Sequence, residues 1–182
     1  MKNKIVLILA FAFLGLSLTS CSNKIGFSTD VRNRVVSKNI PLTKLQYYVD
    51  RDVVLKRTIT TGETKVSSGT VKVENGKQVH IIKLKKGTPG ICTQVYPDKL
   101  AISFEDGANK NLLFGFPQFG NSTNSYVLQV LETDKNQMGK VNYDGKIYYV
   151  QPEGLKAKIK IKKSSDTNVK VKKQTMKGRK VN

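Results

Sequence analysis

Apolar and polar residues alternate in short runs over most of this chain, the period-two signature of half-buried β-strands. From Lys99 to Glu105, Leu100, Ile102 and Phe104 fall on one face and Ala101, Ser103 and Glu105 on the other. Leu112, Phe114 and Phe116 repeat the pattern, and the intervening Asp106-Gly107 and Ala108-Asn109-Lys110-Asn111 predict a hairpin with a longer loop. Asn75-Gly76 and Asp144-Gly145 mark tighter hairpins, between 70–74 and 77–85 and between 141–143 and 146–150. A type I′ turn needs positive φ at two successive residues, and Asn, Asp and Gly tolerate it best. Residues 53–60 and 126–132 supply further strands. Val79, Ile81, Ile82 and Leu84 break the alternation, which predicts a strand buried on both faces or a bulge. Asn39-Ile40-Pro41-Leu42 predicts one helical turn with Pro41 at its first position. About nine or ten strand candidates, with no long helical period after residue 21, predict an all-β fold, an antiparallel barrel or sandwich.

The N-terminus has a different pattern. Lys2 and Lys4 precede an uncharged apolar run from Ile5 to Leu16. At about a dozen residues that run is short for a membrane-spanning helix, which needs ~20. It closes on Leu18-Thr19-Ser20-Cys21, which resembles the lipobox of bacterial lipoprotein precursors at all four positions. The resemblance covers only residues 1–21. It implies cleavage before Cys21, a thioether-linked diacylglycerol on that cysteine, and a protein tethered to membrane lipid in the bacterial cell envelope. Ser22 stands where an aspartate in enteric bacteria retains such proteins in the inner membrane, so the outer membrane is favoured.

On this reading residues 1–20 are a signal peptide, 21–39 a lipidated spacer rich in Ser, Asn, Arg and Lys, 40–162 the β domain, and 163–182 a basic tail. Cleavage leaves 162 of the 182 residues, enough for one domain with a real core. It also lowers the formal charge from +19 to +17, since only Lys2 and Lys4 leave with the signal. Such an excess favours polyanions. Where a lipoprotein resides these are anionic glycans, lipopolysaccharide or lipid head groups, with a partner membrane protein as a further candidate; nucleic acid is rare there and disfavoured. Two segments concentrate the charge. From Leu155 to Lys162, Leu155, Ala157, Ile159 and Ile161 face one way and Lys156, Lys158, Lys160 and Lys162 the other, so one face can sit on a core while four ammonium groups meet solvent or an anion. Beyond Lys163 the chain is polar, with Lys170, Lys172 and Lys173 among its cations, a composition that predicts disorder.

The inventory for catalysis is thin and favours a non-enzymatic protein. With Cys21 acylated, Cys92 is the remaining thiol and His80 the only histidine. Together they are the minimum for a small envelope hydrolase or transferase, the alternative function, although His80 lies in an apolar strand and Cys92 follows a turn-rich approach to another. One His and one free Cys do not make a zinc site, and no motif for a cofactor or phosphate is present. Asp50 and Asp52 read as a polar turn, and Asp98, Asp106, Asp134 and Asp144 as turn caps. A recognition loop is the other candidate: Phe116, Phe119 and Asn121 fall in an aromatic, glycine-rich and amide-rich stretch suited to stacking on a sugar or entering a partner's groove.

Overall fold

The computed structural model describes residues 23–59, 69–116 and 124–167. Thirteen antiparallel strands among them form two sheets. The first contains β1 (Lys24–Gly26), β2 (Gln46–Val49), β6 (Pro89–Val95), β7 (Lys99–Ser103), β8 (Asn111–Gly115), β9 (Val127–Leu128) and β13 (Ile159–Lys162), in the order β1-β13-β2-β6-β7-β8-β9. The second contains β3 (Val53–Thr58), β4 (Thr70–Glu74), β5 (Lys77–Leu84), β10 (Glu132–Thr133), β11 (Gly139–Tyr143) and β12 (Lys146–Val150), in the order β10-β11-β12-β3-β5-β4. The expected all-β antiparallel architecture is thus present as two open sheets, not a closed barrel. Leu128 N–H donates to Ala157 O (2.8 Å) and Ile159 N–H to Tyr126 O (3.3 Å), which draws β9 toward the start of β13 through an isolated bridge without extending it into a ladder.

Both short hairpins form where the sequence places them. Asn75 and Gly76 have φ of 51° and 74°, and Asp144 and Gly145 have 54° and 70°. The loop joining β7 to β8 spans the expected 104–110 region, with Ser103 opposite Asn111. β5 is buried on both faces, with Val79, His80, Ile81 and Leu84 all inside. The bulge falls elsewhere, between Cys92 and Gln94 of β6. Asp50 and Asp52 lie in the expected polar turn between β2 and β3, and their carboxylates tie it to distant segments, Asp50 Oδ1 accepting from Lys158 N–H and Asp52 Oδ1 from Lys86 N–H, both at 2.7 Å.

One core lies between the sheets. Leu55, Tyr148 and Val150 of the second meet Tyr47, Leu100, Ile102, Phe114, Ile159 and Ile161 of the first, all essentially inaccessible. Tyr47 donates its hydroxyl to Leu42 O (3.0 Å) in the 3₁₀ turn Leu42–Lys44, which begins one residue after Pro41. Burial, above all, holds its phenol far above the usual tyrosine range.

Residues 24–39 depart from the expected spacer. They form β1 and a nine-residue helix, α1 (Thr29–Ser37), and Phe27, Val31 and Val35 belong to the core with Ile25 packed against it, while Val36 faces solvent. Ser28 Oγ caps the helix by accepting from Val31 N–H (3.3 Å), Asp30 sits at the positive end of the helix dipole, and Val31 and Val35, four residues apart, bury one stripe. Arg32 then fastens the helix to the sheet, donating to Tyr126 Oη (2.6 Å) and Tyr96 O (2.7 Å). At the other end the strand expected from Leu155 starts later. Pro152–Leu155 forms a helical turn, α2, with Pro152 at its first position, and β13 begins at Ile159. The expected tail opens as a short helix, α3 (Lys163–Thr167).

Candidate functional site

The outer face of the first sheet carries a row of cations at its β1–β13–β2 end. Directly opposed residues of antiparallel strands project to the same face. Lys162 lies opposite Lys24, and Lys160 sits between Gly26 on one side and Tyr48 on the other. Lys158 shares their parity. Ala157, Ile159 and Ile161 point inward and are wholly buried, which fixes the lysines outward and forbids a one-residue slip. Lys24 Nζ stands 3.6 Å from the centroid of the Tyr48 ring, a cation–π contact that organises the edge of the row. Among the described residues Lys158, Lys160 and Lys162 make no ion pair.

The second sheet's outer face is different. Register places Glu132, Lys140, Tyr149 and Lys56 in one cross-strand row. Lys140 pairs with Glu132, and Lys56 pairs with Glu74 at 3.0 Å. Two cations of that face are thus neutralised in place, whereas on the β13 face the one neighbouring carboxylate that the strand pairing brings in among the described residues is Asp50, beside Lys158, and it accepts from the Lys158 backbone N–H. Lys156 stands apart from its three companions. It follows α2, is exposed, and pairs with Glu153 at 3.0 Å.

Lys24 and Tyr48 are the members of this face that sequence reasoning missed. Lys24 fell within the segment read as spacer, although Lys24-Ile25-Gly26-Phe27 does alternate. Tyr48 is reached only through strand pairing. Lys170, Lys172, Lys173, Phe119, Asn121 and Cys21 lie outside the described residues. Phe116 is described and partly exposed, its ring tilted against Tyr126 at 5.4 Å between centroids.

Cys92 and His80 lie in different sheets, each engaged with its own neighbours. The Cys92 thiol is buried and donates to Gln94 O (3.3 Å), and burial pushes its pKa up, away from the thiolate that nucleophilic chemistry needs. His80 is buried, with Nδ1 2.8 Å from Tyr148 Oη and its ring 5.7 Å from the tyrosine's. The arrangement suits a satisfied polar pair inside a sheet. Cys92 is therefore expected to react with a thiol reagent such as DTNB only as fast as the domain opens, its rate rising with urea. Complete labelling of the native protein within seconds would contradict this burial.

No group of three or more His, Cys, Asp or Glu side chains suited to a metal ion occurs among the described residues. No described helix is long and apolar enough to cross a membrane. Comparison with protein-family models, curated proteins and solved structures finds no match to this chain.

Proposed function

We propose that this protein is a non-enzymatic envelope lipoprotein, tethered through acylated Cys21, that binds an anionic envelope component or an acidic partner protein with the Lys24–Lys158–Lys160–Lys162 face. The supporting observation is the position of that face relative to the start of the fold. Asn23 O accepts from Lys163 N–H (2.9 Å), and β1 then runs beside β13. Cys21 is two residues before Asn23, a reach of at most ~7 Å. Since residues 24–39 are folded, no long spacer intervenes. A lipid on Cys21 would hold Lys24 and Lys162 near the head groups, close to the ~8 Å Debye length at physiological ionic strength. Each basic residue so placed gains about 1 kcal/mol at an anionic surface. Two or three acyl chains would anchor the protein, where one alone binds marginally.

Two measurements test the reading. Mass spectrometry of the N-terminal peptide from native membranes should show a diacylglyceryl-modified Cys21; an unmodified thiol or a different start site would remove the tether. The chain from Ser22 onward should co-sediment with vesicles containing phosphatidylglycerol, and release as salt rises. Equal retention on phosphatidylcholine vesicles would remove the electrostatic role.

A further inference from the structure

A cleft lies where β8 and the residues after β9 meet the β11–β12 hairpin, lined by none of the lysines of the β13 row. Its volume is about 580 Å³, within the range of small-molecule and oligosaccharide sites. Its polar lining is Asn109, Asn111, Asn142, Gln129, Tyr96 and Lys99. Among the described residues no carboxylate lines it.

The cleft is built by tertiary contact. Asp144 N–H donates to Asn109 O (3.0 Å), locking the β7–β8 loop to the β11–β12 hairpin and closing one end. On the sheet side, Lys99 opposes Gly115, and the glycine is needed for close approach: a Cβ there would come within 2.7 Å of Lys99 Cβ and 2.8 Å of Asp98 O. The lysine stem can therefore lie across β8, with Nζ 5.5 Å from the Tyr96 ring centroid. Leu113, Val130 and Leu131 supply apolar wall, and Leu131 is 64% exposed, a large aliphatic group left facing solvent.

The amides indicate the ligand chemistry. Gln129 donates from Nε2 to Phe116 O (2.7 Å) and Val127 O (3.1 Å). Both partners are carbonyls, so the amide orientation is compelled and Oε1 remains as an unengaged acceptor among the described residues. The side chains of Asn109, Asn111 and Asn142 make no hydrogen bond with other described residues. Each offers a donor and an acceptor together, matching hydroxyl groups that are likewise both. An anionic ligand could engage only the amide N–H groups and the Lys99 ammonium, leaving Gln129 Oε1 and the asparagine Oδ1 atoms without a donor, and no carboxylate in the described lining is available to hold a metal ion. A saccharide suits the set: hydroxyls for the amides, C–H faces for Tyr96 and the leucines, and a hydroxyl acceptor for the Lys99 ammonium.

We infer that this cleft binds an uncharged oligosaccharide, with Asn111, Asn142 and Gln129 as the hydrogen-bonding groups and Tyr96 with Leu131 as the apolar platform. This binding is separate from the polyanion-binding face. Calorimetric titration of the intact protein with chitohexaose, maltohexaose and mannohexaose tests it. At least one should bind with a Kd below about 1 mM, the weak end of specific recognition. The double variant Asn111→Ala, Asn142→Ala should weaken that binding about tenfold or more. Leu131→Arg should abolish it by filling the mouth. Asn142 and Leu131 are exposed and Asn111 is half-buried, so both variants should melt close to the parent protein, while K158E/K160E/K162E should bind the sugar unchanged. Absence of binding by all three hexaoses at millimolar concentration would overturn the assignment, as would affinity indifferent to the asparagine substitutions. So would an extended uncharged peptide that binds where the sugars do not, which would make the cleft a peptide groove along the β9 edge.

Discussion

Replacing Phe27 by alanine is expected to cost about 3–5 kcal/mol, the range for deleting a buried aromatic side chain. Phe27 is wholly inaccessible, and its ring packs edge-on against Tyr47 at 5.4 Å and Tyr126 at 4.9 Å between centroids. Its backbone matters as much to the architecture. Phe27 N–H donates to Ile159 O and Phe27 O accepts from Tyr126 N–H, both at 2.9 Å, so one residue joins β13 to the segment entering β9. Alanine keeps those backbone bonds but empties the site between two tyrosines that cannot collapse onto it, since Arg32 holds the Tyr126 hydroxyl and Leu42 O holds that of Tyr47. Domains of this size are stable by roughly 5–15 kcal/mol, so the variant should lose a large part of its urea midpoint with little change in m-value. A change under about 0.5 kcal/mol, typical of a surface position, would mean that residues 24–37 are a spacer after all and not part of the fold.

That segment also shows why part of the structure was not legible in the sequence. In α1 only Val31 and Val35 are buried, and the remainder is polar or exposed. A stripe of two valines over nine residues is weaker than the strand signals around it, and Ser28 as a cap acquires meaning only once the helix is known. Local chemistry was readable where it decides geometry locally. Asn75-Gly76 and Asp144-Gly145 dictate their turns by backbone preference, and the Lys/Ile alternation of β13 dictates which side faces the core. Long-range pairing has no such trace. Nothing near Tyr48 announces that Lys160 will lie opposite it, nor does Cys92 announce the bulge that separates it from Gln94. The same limit applies to the cleft, whose amides come from the β7–β8 loop, β8, the β9 region and β11, and converge only when the two sheets meet.

Reversing the β13 charges, as K158E/K160E/K162E, should weaken binding of the chain from Ser22 onward to phosphatidylglycerol vesicles by about 100-fold or more. Three ammonium groups at about 1 kcal/mol each supply roughly 3 kcal/mol, and three carboxylates in their place add repulsion. The fold should survive, because Ile159 and Ile161 keep their inward positions and the carboxylate introduced at position 162 would face Lys24 across the strand pair. Net charge alone must be separated from its placement. A second variant, K72E/K77E/K83E, changes the formal charge equally on exposed positions of the second sheet. If the β13 face is the contact surface, this control should lose far less affinity at physiological salt, because its charges sit on another sheet and are screened beyond ~8 Å. At 1 M salt the screening length falls to ~3 Å, and parent and both variants should converge on weak binding. Equal losses for the two triple variants would show that the whole-molecule field, not the face beside Asn23, draws the protein to the surface. The short reach from Cys21 to Lys24 would then carry no functional meaning.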